Sequence, residues 1–330
     1  MSDRYDVVGI GNAIVDVISH GDDTFLDHMG IQKGVMQLIE RDRAELLYAA
    51  MRDRTEAPGG SVANTIAGIG TLGLKTAFLG KVKDDALGRF YAKGMADGGT
   101  DFPNPPVSGD VAPTSRSMIF VSPDGERSMN TYLGAGADFD EGDVDDGVAG
   151  NARFLFLEGY LYDKAEGKRA FTAAAAACRA GGGRAGITLS DPFCVDRHRD
   201  DFLALIKDEM DFVIGNREEW LALYQTENLD AALDEARAAC ETIVCTRSGD
   251  PVVVIAGGVR AEVPVRQVTP VDATGAGDQF AAGFLYGLAT DRPPELAGRM
   301  GVAAAAEVIG HVGPRPARPL SVVFEAAHLL

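Results

Sequence analysis

The chain has no apolar run near the roughly 18 residues that a membrane-spanning helix requires, and no signal-peptide pattern opens it. A cytoplasmic protein is therefore expected. Basic residues are scarce: Lys+Arg number 31 against 49 Asp+Glu, a net charge of −18 over 330 residues. That balance argues against a nucleic-acid partner and against binding to an anionic membrane. Cysteine is sparse as well. Cys178, Cys194, Cys240 and Cys245 form no CxxC pair and have no histidine at metal-ligand spacing, so they read as reduced core thiols. There is no repeat period, no low-complexity linker and no Gly-x-x-x-x-Gly-Lys-Ser/Thr phosphate loop. The early Gly9-x-Gly11 lacks the third glycine of a dinucleotide fingerprint, and no helical pattern opens after it.

What the chain does have is alternation. From Phe154 onward short β-branched and aromatic runs alternate with helical patterns, which means a parallel sheet covered on both faces. An early strand at Asp6–Ile10 and another at Thr76–Val82 join that scheme. Two stretches do not. Residues 17–40 are short strand-like pieces around Val35–Ile39, and 114–133 form a hairpin about Ser122-Pro123-Asp124-Gly125-Glu126. These predict a small sheet acting as a lid. The expected organisation is one α/β domain over 1–330, with the lid at about 14–40 and 111–135.

The most informative segment runs from Val271 to Phe280. Gly275, Ala276 and Gly277 precede Asp278, and Phe280, Phe284 and Leu288 then recur with helical spacing. The first N–H groups of a helix have no intrahelical partner and favour an anion, so a glycine-rich entry suits a phosphate. A carboxylate at that spot fits a base that takes a proton from an alcohol while the N–H groups hold a transferring phosphoryl group. Taken alone, Asp278 reads as a first-turn helix carboxylate and the glycines as turn residues, since short glycine motifs recur by accident. Two other loops add to it. A strand ends on Asn12 and Asp16, polar residues able to hold sugar hydroxyls. Gly59 and Gly60 precede a helix with Ser61 as its expected N-cap and Asn64 on its first turn.

Gly11-Asn12-x-x-x-Asp16, Gly59-Gly60-Ser61-x-x-Asn64, Asn216-x-x-Glu219 and Asp272-x-Thr274-Gly275-Ala276-Gly277-Asp278 stand in this order. Together they resemble the ribokinase-like (PfkB) family of carbohydrate and nucleoside kinases, from about Val7 to about Ile309. The resemblance implies a ribokinase-like three-layer αβα sandwich with a mainly parallel central sheet and a small β-sheet lid. It implies that Asp278 is the base and that Gly275, Ala276 and Gly277 form the anion hole. Asn12, Asp16, Gly59, Gly60 and Asn64 would hold substrate hydroxyls, with Arg127 from the lid at the phosphate. Asn216 and Glu219 would organise Mg²⁺, partly through water, around ATP. Thr246 and Gly249 would carry the nucleotide, and Asp272 and Thr274 sit where many members bind a monovalent cation such as K⁺.

The segments Gly11–Asp16, Glu126–Ala135 and Leu189–Phe193 look like those of adenosine kinases, although Asp191 departs from that pattern. By the same resemblance Met36, Leu38, Met129 and Phe193 form an apolar wall for a base, while each taken singly also reads as lid or core packing. The expected reaction is phosphorylation of adenosine to AMP. A sugar kinase of the ribokinase, fructokinase or 2-keto-3-deoxygluconate type and a catalytically silent regulator are the alternatives. Small-molecule substrate and ATP are the expected partners, for a monomer or a homodimer.

Overall fold

The main sheet is built where the sequence alternates. In the computed structural model, which describes residues 4–330, the strands are β1 (Tyr5–Ile10), β2 (Ile14–His20), β3 (Met36–Leu38), β4 (Thr55–Gly59), β5 (Thr76–Leu79), β6 (Thr100–Asp101) and β7 (Ser115–Val121). They continue with β8 (Arg127–Tyr132), β9 (Ala152–Glu158), β10 (Arg184–Thr188), β11 (Phe212–Asn216), β12 (Thr242–Arg247), β13 (Asp250–Ala256) and β14 (Val259–Val263). The first three residues of the expected 1–330 domain lie outside the described residues.

Nine strands form the central sheet in the order β14-β13-β12-β11-β10-β9-β1-β5-β6. From β12 to β6 every neighbour is parallel, and β13 and β14 add an antiparallel edge. Side chains alternate across a strand, and β9 uses both faces. Phe154 and Phe156 join one buried cluster with Val62, Ile66, Phe280 and Phe284, whereas Leu155 and Leu157 join another with Phe171, Phe202 and Trp220. Helices Ser61–Gly70, Ala276–Ala289 and Pro294–Val308 therefore cover one face. Helices Ala165–Ala180, Arg199–Glu209, Arg217–Tyr224 and Leu229–Ala239 cover the other. This is a three-layer α/β sandwich.

A second sheet has the order β3-β8-β7-β2-β4. The expected lid ranges contain four of its strands but miss β4, which pairs antiparallel with β2. Pro58 and Gly59 at the end of β4 disguise it, because proline is tolerated only at sheet edges, and β4 is an edge. Other boundaries also differ from expectation. A helix Asp23–His28 lies within the stretch that reads as strand-like pieces, Pro192–Arg197 is helical, and Leu320–Ala326 follows the expected last helix. The back of the small sheet is apolar: Val15, Val17, Met118 and Phe120 pack with Leu26, Ala44 and Leu47. No helix among the described residues is long and apolar enough to cross a membrane.

Candidate active site

The parallel strands β1 and β9 end at the same edge of the sheet, and the site lies over that edge. Gly275 is the N-cap of the helix Ala276–Ala289 at φ 79°, a left-handed conformation suited to glycine. The turn it makes places Asp278 on the first helical turn, facing the helix Ser61–Gly70. Ser61 Oγ donates to Asp278 Oδ1 at 2.7 Å, and Asn64 Nδ2 donates to Oδ2 at 3.1 Å. Thr65 Oγ1 donates to the Asp278 carbonyl at 3.0 Å, and Gln279 Nε2 donates to the Asn64 carbonyl at 3.1 Å. The two helices are thus stitched together around the carboxylate. Burial pushes the Asp278 carboxyl up to about 6, against the hydrogen bonds from Ser61 and Asn64 and the charge of Arg315. The expected anion hole is partly rearranged. Ala276 N–H donates to Ala273 O at 3.2 Å. The N–H groups of Gly275, Gly277 and Asp278 carry no partner among the described residues.

Ser61 is not the N-cap of its helix. Gly60 holds that position at φ 101°, and a Cβ there would lie 2.2 Å from the Asn12 carbonyl. The glycine lets the two loops meet, and it frees the Ser61 hydroxyl for Asp278. Gly59 backs directly onto the Asp16 carboxylate. Asn12 Nδ2 and N–H both donate to Glu158 Oε1, at 2.8 and 3.2 Å, and Val62 N–H donates to Oε2 at 3.0 Å. Asn12 is therefore held by a buried carboxylate at the end of β9, while its Oδ1 is buried without a partner. A substrate hydroxyl would satisfy that acceptor. Burial raises Glu158 to about 7 and Asp16 to about 6, the latter against the charges of Arg127 and Arg315.

Two residues here escaped sequence reasoning. Glu158 follows an apolar run and reads as the end of a strand. Arg315 lies in a Gly-Pro-Arg-Pro stretch that reads as a loop, yet its Nε donates to Asn64 Oδ1 at 3.2 Å.

The small sheet presents one face to this site. Register puts Asp16 opposite Ser117, Ser117 opposite Thr131, Met129 opposite Met36, and Thr131 opposite Leu38. Cross-strand partners share a face, so Asp16, Arg127, Met129, Met36 and Leu38 all point the same way. Met36 and Leu38 are 44% and 54% exposed. Phe193, the expected fourth wall residue, lies at the start of the helix Pro192–Arg197 and is 73% exposed. In this structure its ring packs into no core cluster and stacks on no other ring among the described residues.

On the other side of Asp278 a cavity of about 630 Å³ runs past Gly277 to Asn216, Glu219, Thr246 and Gly249, with Val252, Phe280 and Ile309 among its apolar walls. Thr246 pairs in register with Asn216, which puts both at its rim. Asp278 lines this cavity and also faces the Asn12, Asp16 and Asn64 group. A donor in the cavity and an acceptor alcohol under the small sheet would meet at that carboxylate.

Residues 34–320 match the pfkB family of carbohydrate kinases. The chain belongs to that family. Among solved structures, adenosine kinase from Sinorhizobium meliloti is 46% identical, with a TM-score of 0.90 over 98% of this chain and 99% of that one. A "probable sugar kinase protein" from Rhizobium etli CFN 42 is 43% identical, with a TM-score of 0.91 over 99% of each chain. Among curated relatives, the 5-dehydro-2-deoxygluconokinase of Geobacillus kaustophilus (strain HTA426) is 28% identical over 271 residues, 77% of this chain and 79% of its own.

A pfkB kinase implies Mg²⁺ with its ATP, and the residues present fit it. Asn216 is the N-cap of the helix Arg217–Tyr224 and Glu219 its third residue, joined in a reciprocal capping box. Asn216 N–H and Nδ2 donate to the two Glu219 oxygens at 2.7 and 2.8 Å. Each oxygen keeps a lone pair at the rim of the cavity, which suits holding the waters of a hard cation. Burial raises Glu219 to about 7, against the hydrogen bond from the Asn216 backbone.

The monovalent cation fits less well. Asp272 Oδ1 accepts from Thr274 N–H at 2.9 Å. Its Oδ2 accepts from Gly313 N–H at 2.9 Å and from Arg127 Nη1 at 2.6 Å. A guanidinium already neutralises this carboxylate, so Asp272 and Thr274 as they stand do not make a K⁺ site.

Proposed function

We propose that this pfkB kinase moves the γ-phosphate of ATP to the primary alcohol of a nucleoside, adenosine first among them, giving AMP. The observation that carries the nucleoside reading is the lid face. Exposed Met36 and Leu38, beside Met129, lie on the same face of the small sheet as Asp16, with β8 and β7 between them, a span that suits an aromatic base at one end and a ribose at the other. Asn12 Oδ1 and the Asp16 carboxylate would accept from ribose hydroxyls. The likeness to the Sinorhizobium meliloti adenosine kinase supports the same reading.

The chemistry asks little covalent help of the protein, because phosphoryl transfer rests on positioning and charge stabilisation. Asp278, held at both oxygens, would take the alcohol proton as the oxygen attacks phosphorus. The free N–H groups of Gly275, Gly277 and Asp278 would face the charge on the transferring group. Thr246 and Gly249 would flank the nucleotide. Mg²⁺ arriving with the ATP would neutralise phosphate charge, with Asn216 and Glu219 holding its waters. The lid would exclude water, so that the phosphoryl group meets the alcohol. A small-molecule acceptor and ATP are then the partners, with no nucleic acid and no membrane, in a cytoplasmic monomer or homodimer.

A keto-sugar acid is the second reading. The curated relatives of 25–28% identity carry the name 5-dehydro-2-deoxygluconokinase, and Arg127 Nε and Nη2 are buried without partners. Those atoms would suit a carboxylate. An ADP-release screen over adenosine, inosine, ribose, fructose and 5-dehydro-2-deoxygluconate separates the two. Highest kcat/KM on adenosine supports the nucleoside reading. Turnover of the sugar acid with none on adenosine replaces it.

A further inference from the structure

The turn after the helix Pro294–Val308 crosses back over the active site, and its contacts fall on the catalytic segment. Gly313 N–H donates to Asp272, Pro314 O accepts from Gln279 Nε2 at 3.1 Å, and Pro314 packs against Gly275. Arg315 follows directly. Its side chain is partly buried, and its Nε donates to Asn64 Oδ1 at 3.2 Å. Its other polar contact is a long one to Met95 Sδ at 3.8 Å, and no carboxylate lies within 4 Å of it among the described residues. A guanidinium drawn partly out of water without a direct carboxylate partner loses hydration that no ion pair returns, so its position calls for a use.

An Asn amide can face a carboxylate with either its NH₂ or its oxygen, and only the NH₂ is attractive. Arg315 decides this one. Because Asn64 Oδ1 is taken by Arg315 Nε, Asn64 Nδ2 must point at Asp278 Oδ2, where it lies at 3.1 Å. We propose that Arg315 is the positioning residue of the base: it locks the Asn64 amide toward Asp278 and sets a positive charge beside Asp278 and Asp16.

The groups facing Asp278 are Ser61 and Asn64 from one helix, Asp16 from the lid, Glu158 from β9 and Arg315 from this turn. Two of these, Asp16 and Glu158, are carboxylates raised first by burial and further by the charge of Asp278, while the charge of Arg315 lowers both Asp16 and Asp278. The inference rests on Asp278 being the base.

The test is the pH dependence of kcat at saturating MgATP for wild type, Arg315→Met, Arg315→Gln and Arg315→Lys. The acceptor is adenosine or the best substrate of the screen above. The acid limb of Arg315→Met and Arg315→Gln is expected to move up by about one pH unit, the scale of losing one neighbouring charge. Arg315→Lys, which keeps the charge, is expected to keep the wild-type limb at reduced kcat. KM for ATP should not change. Gln retains a donor for Asn64, so it carries the test if Met does not fold. An unmoved acid limb in the uncharged variants overturns the proposal. So does a rise in acceptor KM at constant kcat, which would make Arg315 a binding residue. Asp278→Asn is measured in parallel. Turnover in that variant removes the base itself, whereas an inactive Asp278→Asn with an unmoved Arg315→Gln limb removes only the role of Arg315.

Discussion

Arg127 of the small sheet and Asp272 of the core form an ion pair of 2.6 Å in which each side chain is 7% exposed. It joins the small sheet to the segment that leads into the glycine-rich entry of the helix Ala276–Ala289. Burial alone would raise the Asp272 carboxyl. Hydrogen bonds from Thr274, Gly313 and Arg127 hold it below its ordinary value instead. With an arginine already there, a monovalent cation has no charge left to neutralise. Turnover should be the same in K⁺, Na⁺ and tetramethylammonium chloride at constant ionic strength. Activation by K⁺ over Na⁺ would show that the ion displaces Arg127.

Asp278→Asn should retain ATP and acceptor binding and lose at least ~10² in kcat, the usual scale for removing a general base. The wild-type profile carries a sign as well. A base whose carboxyl lies near 6 is ionised at pH 7.5 and protonated below about 6, so kcat should fall on the acid side of that value. A flat profile down to pH 5 in the chemical step would contradict the assignment.

Glu219→Ala breaks the capping box and leaves two Asn216 donors without their acceptor. Loss of a cap costs about 0.5–2 kcal/mol, so a modest fall in Tm is expected. If Glu219 also holds metal-bound waters, the Mg²⁺ concentration needed for half-maximal rate should rise while acceptor KM stays constant. A lowered Tm with an unchanged Mg²⁺ titration would leave Glu219 as a helix cap alone.

Stability should depend on pH through the buried carboxyls. Glu158 and Glu219 are raised to about 7, and Asp16 and Asp278 to about 6. The folded state thus binds more protons than the unfolded one between about 4 and 7. Their stabilising contribution is full below their unfolded values and is lost as pH rises through about 7. The urea midpoint should be higher at pH 6 than at pH 8. A net charge of −18 pushes the same way, so the diagnostic is Glu158→Gln, which should reduce the pH dependence. An equal slope in that variant would assign the effect to general charge repulsion.

Legibility followed distance along the chain. Gly275 to Asp278 could be read because a positive-φ glycine, small residues and a helical period lie within one short stretch. Asn216-x-x-Glu219 was equally local, and its capping-box spacing was there to be read although only its metal role was inferred. The alternation in β9 carried its two-faced burial openly. By contrast Thr55–Gly59 hid its strand behind a proline, because nothing local says that an edge position awaits it.

Residue types, periods and turn chemistry act between near neighbours, and to that extent the amino-acid sequence by itself determined the layered sheet, the glycine-rich helix entry and the kind of chemistry Asp278 can do. Which groups surround Asp278 was decided only by packing. Glu158 came to Asn12 because β1 and β9 are adjacent in the sheet. Arg315 came to Asn64 because a turn folds back over the helix entry. Arg127 came to Asp272 because the small sheet meets the core. In each case a polar group was buried and took the partner that tertiary contact supplied, since leaving it unpaired would cost more than any local preference could return.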